Sequence, residues 1–122
     1  QRFKPDVVVG FSWGGAVTCQ LISSGVWSGP TVLIAPAHKV LSDKMGRASI
    51  SPSLPRGTVV FHSTADTIVP MSHSEELCKC RNTRLITVDN NDPHKLWSIA
   101  ADGSLEKAVW DAANEFKSDA PK

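Results

Sequence analysis

The stretch from Val7 to Gly15, VVVGFSWGG, leaves this chain little choice of architecture. Asp6 to Phe11 is a short, continuously apolar, β-branched run, the pattern of a strand buried on both faces of a parallel sheet. Gly14 to Ser23 then switches to helical spacing, with Val17, Leu21 and Ser24 on one side and Ala16 and Gln20 nearby. Gly25 follows where a helix C-terminal glycine stands. The change from strand to helix has to happen around Ser12. So abrupt a bend brings the positions two before and two after the serine together, so Gly10 and Gly14 are expected there for want of a bulky Cβ, with Gly15 letting the helix pack tightly. The serine at the apex is expected to be strained and to lift its hydroxyl above the sheet edge.

The remaining chain repeats the alternation. Thr31 to Ala35, Thr58 to His62 and Arg84 to Val88 read as further strands. Met71 to Cys80 reads as a helix opened by Ser72 and Glu75 in capping-box spacing. From Ser104 to Lys117, the apolar positions Leu105, Ala108, Val109, Ala112, Ala113 and Phe116 form the stripe of a surface-docked helix. Between Lys39 and Arg56 a short helix near Val40 to Met45 precedes a Ser/Pro loop, and Asp119 to Lys122 read as a frayed end. Strands alternating with helices predict an α/β fold with a mostly parallel sheet and flanking helices. The 122 residues make one domain, 1–122, long enough to bury about two-thirds of its unfolded surface.

Charge and cysteine usage exclude several classes. The 13 basic and 12 acidic residues leave a net charge of +1, and no basic run exceeds two residues. Nucleic acid and acidic membranes need clustered Lys and Arg, so neither is an expected partner. Three cysteines do not suggest a disulfide scaffold. Cys19 falls within the first helix as a small hydrophobe, and Cys78 and Cys80 have no second Cys/His pair at zinc spacing. Reduced thiols and the lack of a signal-peptide layout or a ~20-residue apolar span point to the cytoplasm.

Gly10-Phe11-Ser12-Trp13-Gly14 has the G-x-S-x-G form of a nucleophile elbow, in the strand-to-helix setting that this motif requires. A serine hydroxyl attacks only when a base takes its proton, and that base needs an acid behind it. In a parallel α/β sheet such partners belong just past the carboxyl ends of strands. Asp66 lies four residues past His62, and His94 five residues past Asp89. The chain order Ser12, Asp66, His94 is the order this architecture uses. Asp89 and Asp92 are alternative acids. His38, His62 and His73 are the other histidines: His62 is expected to be packed inside its strand, His73 to be solvated at a helix start, and His38 to line the pocket. Ser12 could also be a plain helix-capping serine. The Trp13 N–H, at a helix N-terminus, is a natural oxyanion donor.

With VVVGFSWGG, FHSTADTIVP and VDNNDPHKL in these places, the sequence resembles a small, capless serine hydrolase of the α/β-hydrolase superfamily. The likeness covers essentially the whole chain but only the second, C-terminal half of that fold. It implies Ser12 as nucleophile, Asp66 as acid and His94 as general base, acting on a small ester, thioester or amide through an acyl-enzyme. Phe11 and His38 are the expected substrate-binding residues. No cofactor and no metal are implied. About twenty residues between the second and third strands leave no room for a helical lid, which suits small soluble acyl substrates. Ser63 stands where the family has glycine, and the loop that supplies a second oxyanion donor is absent. Because the chain begins Gln1-Arg2-Phe3 and enters a strand at once, an N-terminal segment or a second copy is expected to pair with the 6–11 strand edge. The competing reading is a non-catalytic binding or assembly module derived from a truncated hydrolase.

Overall fold

The computed structural model describes residues 5–48, 50, 52–79, 83–88 and 97–118. In chain order these form β1 (Val8–Phe11), α1 (Trp13–Ser23), β2 (Thr31–Ile34), α2 (His38–Lys44), β3 (Val59–Ser63), α3 (Met71–Leu77), β4 (Arg84–Val88), α4 (Trp97–Ala101) and α5 (Ser104–Ser118). The four strands lie in the order β1-β2-β3-β4, every pair parallel. Val9 is opposite Val32, Val32 opposite Val59, and Val59 opposite Arg84.

The period of two along each strand sorts the core into two layers. Val32, Ile34, Val59 and Phe61 face Ile99, Ala108 and Ala112 of α4 and α5. Leu33 and Val60 face the other way, onto Cys19 of α1, Leu54 and Leu77 of α3. β2 and β3 are buried on both faces, as near-continuous apolar runs predict. Burying each such side chain stabilises the fold by roughly 1.5–3 kcal/mol. Cys19 is wholly buried, and burial pushes its thiol up to about 12, so it acts as a hydrophobe as its helical position predicts.

Three local expectations change. β1 is not buried on both faces: among the described residues it is an edge strand, and Val9 and Phe11 are 45% and 41% exposed. The Val8 and Ser12 N–H groups donate to Pro30 and Ile34 carbonyls at 3.0 and 2.9 Å. Even-numbered residues of β1 therefore face β2, and the alternation of a parallel ladder turns the backbone of Val9 toward the open side. Secondly, α3 has no capping box. Its N-cap is Pro70, at φ −60° and ψ 136°, and no side chain caps the helix. With Met71 already helical, Ser72 sits too far inside to reach an orphan N–H. The helix stops at Leu77, where a Lys79 N–H to Glu76 carbonyl bond tightens the last turn; Cys80 lies outside the described residues. Thirdly, α4 is a helix where none was expected. Asp102 ends it and accepts the Ser104 N–H at 2.8 Å, so the chain turns straight into α5.

Candidate active site

β1 ends and α1 begins with a single residue between them, and that residue is Ser12, at φ 54° and ψ −112°. Non-glycine residues rarely occupy this region, so the conformation is held by its surroundings. The Ser12 N–H continues the ladder to Ile34, while its carbonyl accepts two N–H groups, from Ala16 at 3.1 Å and Ala37 at 3.0 Å. The hydroxyl makes no cap bond to α1, which removes the reading of Ser12 as a helix-capping serine. The first-turn amides of α1 have no acceptor within the helix and point toward the serine, the arrangement that favours negative charge.

The glycines divide differently from expectation. A Cβ on Gly10 would lie 2.5 Å from Thr18 Oγ1 and 2.8 Å from the Gly14 carbonyl. One on Gly15 would lie 2.8 Å from Pro36 Cα. Gly14 has nothing within 4 Å. The second glycine of the pentapeptide is thus not sterically required: its carbonyl and the Cα of Gly15 crowd Gly10, whereas its own hydrogens face outward. Thr18 anchors this corner by donating its hydroxyl to the Gly14 carbonyl at 2.8 Å. Opposite it, Ala35 also has positive φ, 45°. Among the described residues Ser12 and Ala35 alone combine a side chain with positive φ, and both stand at carboxyl ends of adjacent strands. The sequence shows no glycine to betray the second of them.

Asp66 lies in the loop that leaves the carboxyl end of β3, as expected. One oxygen, Oδ1, accepts the N–H groups of Ile68 and Val69, each at 2.8 Å. The other, Oδ2, is 3.4 Å from Nε2 of His62, and both side chains are completely buried. That Nε2 also lies 2.8 Å from the Val69 carbonyl, and Nδ1 lies 2.6 Å from the Ser74 hydroxyl. A carbonyl only accepts, so Nε2 carries the hydrogen, and in the neutral ring Nδ1 accepts from Ser74. His62 is therefore a packed residue, as expected, with a task that the sequence does not announce: it braces the aspartate loop from within its own strand.

His38 begins α2, directly after the residue whose N–H meets the Ser12 carbonyl. It is buried, its Nδ1 has no hydrogen-bond partner, and burial holds its pKa below the ordinary imidazole value against the opposing pull of the Pro36 carbonyl. His73 is not solvated. It is half-buried inside α3, its Nδ1 also lacks a partner, and burial, reinforced by Lys39, lowers its pKa as well. His94, Asp89 and Asp92 lie outside the described residues.

A cavity of about 360 Å³ lies between α1 and α2, with Ala16, Leu21, His38, Leu41 and Met45 in its wall. A larger one, about 580 Å³, is lined by Gly57, Val59, Arg84, Asp111 and Glu115. It opens at the amino-terminal ends of β3 and β4, the wrong end of the sheet for Ser12. Among the described residues no cluster of three His, Cys, Asp or Glu side chains is placed to hold a metal, and no helix is long and apolar enough to cross a membrane.

Solved structures share this arrangement. A CIB-like hydrolase from Thermoplasma acidophilum superposes with a TM-score of 0.64 at 20% identity, over 88% of this chain and 50% of that one. This is the α/β-hydrolase fold. A YdeN-like hydrolase from Pectobacterium atrosepticum gives 0.65 at 20% identity, over 94% and 61%. A thermophilic esterase from the planctomycete Thermogutta terrifontis, with propionate bound, gives 0.57 at 20% identity, over 95% and 57%. The chain thus spans between half and about three-fifths of the length of these α/β hydrolases. No protein-family model matches the sequence, and no curated protein matches it.

Proposed function

We propose that this chain carries the nucleophile, acid and base of a serine hydrolase acting on a small ester-like substrate. The observation that carries the reading is Ser12 itself, strained at a one-residue strand-to-helix junction, with its hydroxyl kept off the helix it precedes. Strain of that kind costs stability and persists where function needs it. Ser12 Oγ attacks the substrate carbonyl as His94 takes its proton. The N–H of Trp13 donates to the oxyanion, and His94 then protonates the leaving group, which departs and leaves an acyl-enzyme. Water, activated by the same histidine, releases the acid. Asp66 holds the imidazole in the right tautomer and stabilises its charged form. The bound propionate of the Thermogutta terrifontis esterase supports a short acyl group by analogy of fold.

The shared length with solved hydrolases and the open backbone side of β1 favour a second participant: a preceding segment, or another copy, that extends the sheet next to Val9. The same facts are the basis of the competing reading, a binding module without activity.

A fluorophosphonate probe separates the two readings. Labelling at Ser12, lost in Ser12→Ala and strongly slowed in His94→Ala, is the expected result. A folded protein that takes up no label would overturn the enzyme reading in favour of the module.

A further inference from the structure

The two oxygens of Asp66 are held unequally. Oδ1 accepts the Ile68 and Val69 N–H groups, each at 2.8 Å. Each carboxylate oxygen has two lone pairs, and these two donors take both on Oδ1, so a base that binds Asp66 meets Oδ2. A carboxylate pinned at one oxygen can still swing about it. The side chain beside the second oxygen is His62, with Nε2 at 3.4 Å and both groups completely buried.

The ring of His62 is fixed from two sides. Its Nε2 hydrogen is shared with the Val69 carbonyl, 2.8 Å away, while the Val69 N–H belongs to Oδ1, so one residue ties ring and carboxylate together. On the far side Nδ1 accepts the hydroxyl of Ser74, a wholly buried residue of α3, at 2.6 Å. Turning the ring would break both bonds and strand buried polar atoms. Holding the loop needs only the Val69 bond. The approach of the same N–H to Oδ2 adds something else, a second fixed point for the carboxylate itself.

Resting on the serine-hydrolase reading, we propose that His62 is a positioning residue for catalysis: with Ser74 behind it, it fixes the plane of the Asp66 carboxylate so that Oδ2 is presented to the base. The role is a matter of aim. A catalytic group displaced by about 1 Å can lose on the order of 10²-fold in rate.

The test uses two amides that reach different ring positions. In His62→Gln the amide nitrogen falls near the place of Nε2 and can donate toward Val69 and Oδ2. In His62→Asn it falls near Nδ1 and cannot. With p-nitrophenyl acetate, kcat of the Gln variant should stay within about threefold of wild type and that of the Asn variant should fall about tenfold or more, KM changing in neither. Ser74→Ala lets the ring rock and should lower kcat by about threefold. Equal kcat in the Gln and Asn variants would overturn the positioning role, since a packing role does not distinguish the two ring nitrogens. Should the two amide variants not fold, Ser74→Ala decides: reduced kcat at unchanged KM supports the role, and wild-type kcat removes it. A wild-type protein that neither hydrolyses the ester nor takes fluorophosphonate at Ser12 defeats the hydrolase reading, and this inference with it; an active wild type with equal amide variants defeats this inference alone.

Discussion

Gly15 packs so closely on Pro36 that any side chain at position 15 would place its Cβ 2.8 Å from the proline Cα and 3.0 Å from its Cβ. This contact locks α1 to the loop after β2, and it separates the three glycines by consequence. Gly15→Ala and Gly10→Ala force backbone to move and should each cost about 1–3 kcal/mol or more in urea unfolding. Gly14→Ala meets open space inside a helix and should stabilise by about 0.5–1 kcal/mol. Equal losses at all three positions would show that the corner is not built as described.

Strain at Ser12 has its own signature. At φ 54° and ψ −112°, glycine is relaxed where serine is not. Ser12→Gly should therefore be more stable than Ser12→Ala by about 1 kcal/mol or more, with the hydroxyl absent from both. Ala35→Gly, at φ 45°, should move stability in the same direction. Paired chemical denaturation curves decide the matter, and an alanine variant as stable as the glycine one would contradict the strained geometry.

The brace under Asp66 can be tested without touching the aspartate. His62→Leu keeps the bulk but orphans the Ser74 hydroxyl and removes a donor from the Val69 carbonyl. Each buried group left unpaired costs about 1–3 kcal/mol. Ser74→Ala, which disturbs only the Nδ1 side, should cost less. Hydrogen exchange at the Ile68 and Val69 amides, both donors to Asp66, should accelerate in His62→Leu.

Two histidines make stability depend on pH. Burial lowers the pKa of His38 and of His73 below the ordinary 6.5, and Lys39 acts in the same direction on both while Glu76 opposes it. The folded state therefore holds both rings neutral at pH values where the unfolded chain has already bound protons. That stability is complete above about pH 6.5 and is lost as pH falls below it, toward the lowered folded-state values. Urea midpoints should drop between pH 7.5 and 5.5, with a shallower slope in His38→Gln and shallower still in His38→Gln/His73→Gln. Identical slopes in all three proteins would refute the linkage.

Much of this architecture is legible in the amino-acid order. β-branched runs mark β2 and β3 because both faces of those strands are covered, and β4 falls at Arg84–Val88 as expected. The stripe of α5 is strongly periodic and was equally plain. β1 misleads because an edge strand can carry the same valines as a buried one; exposure depends on what lies beside it, which no local pattern records. The site follows the same division. Ser12 and Asp66 stand after strands where motif and spacing put them, with local rules sufficient for both. Ala35's left-handed backbone, the unpaired Nδ1 of His38 and the brace from His62 arise from contacts between distant segments, and no residue type announces them.

Because His62 grips the loop that follows its own strand, Asp66 is held by hydrogen bonds within β3, α3 and the loop between them, apart from the corner at Ser12. Ser12 and Asp66 are in this sense mounted on separate fixtures. Residues around α2, next to the Ala37 N–H that binds the Ser12 carbonyl, can therefore change without disturbing the Asp66 carboxylate.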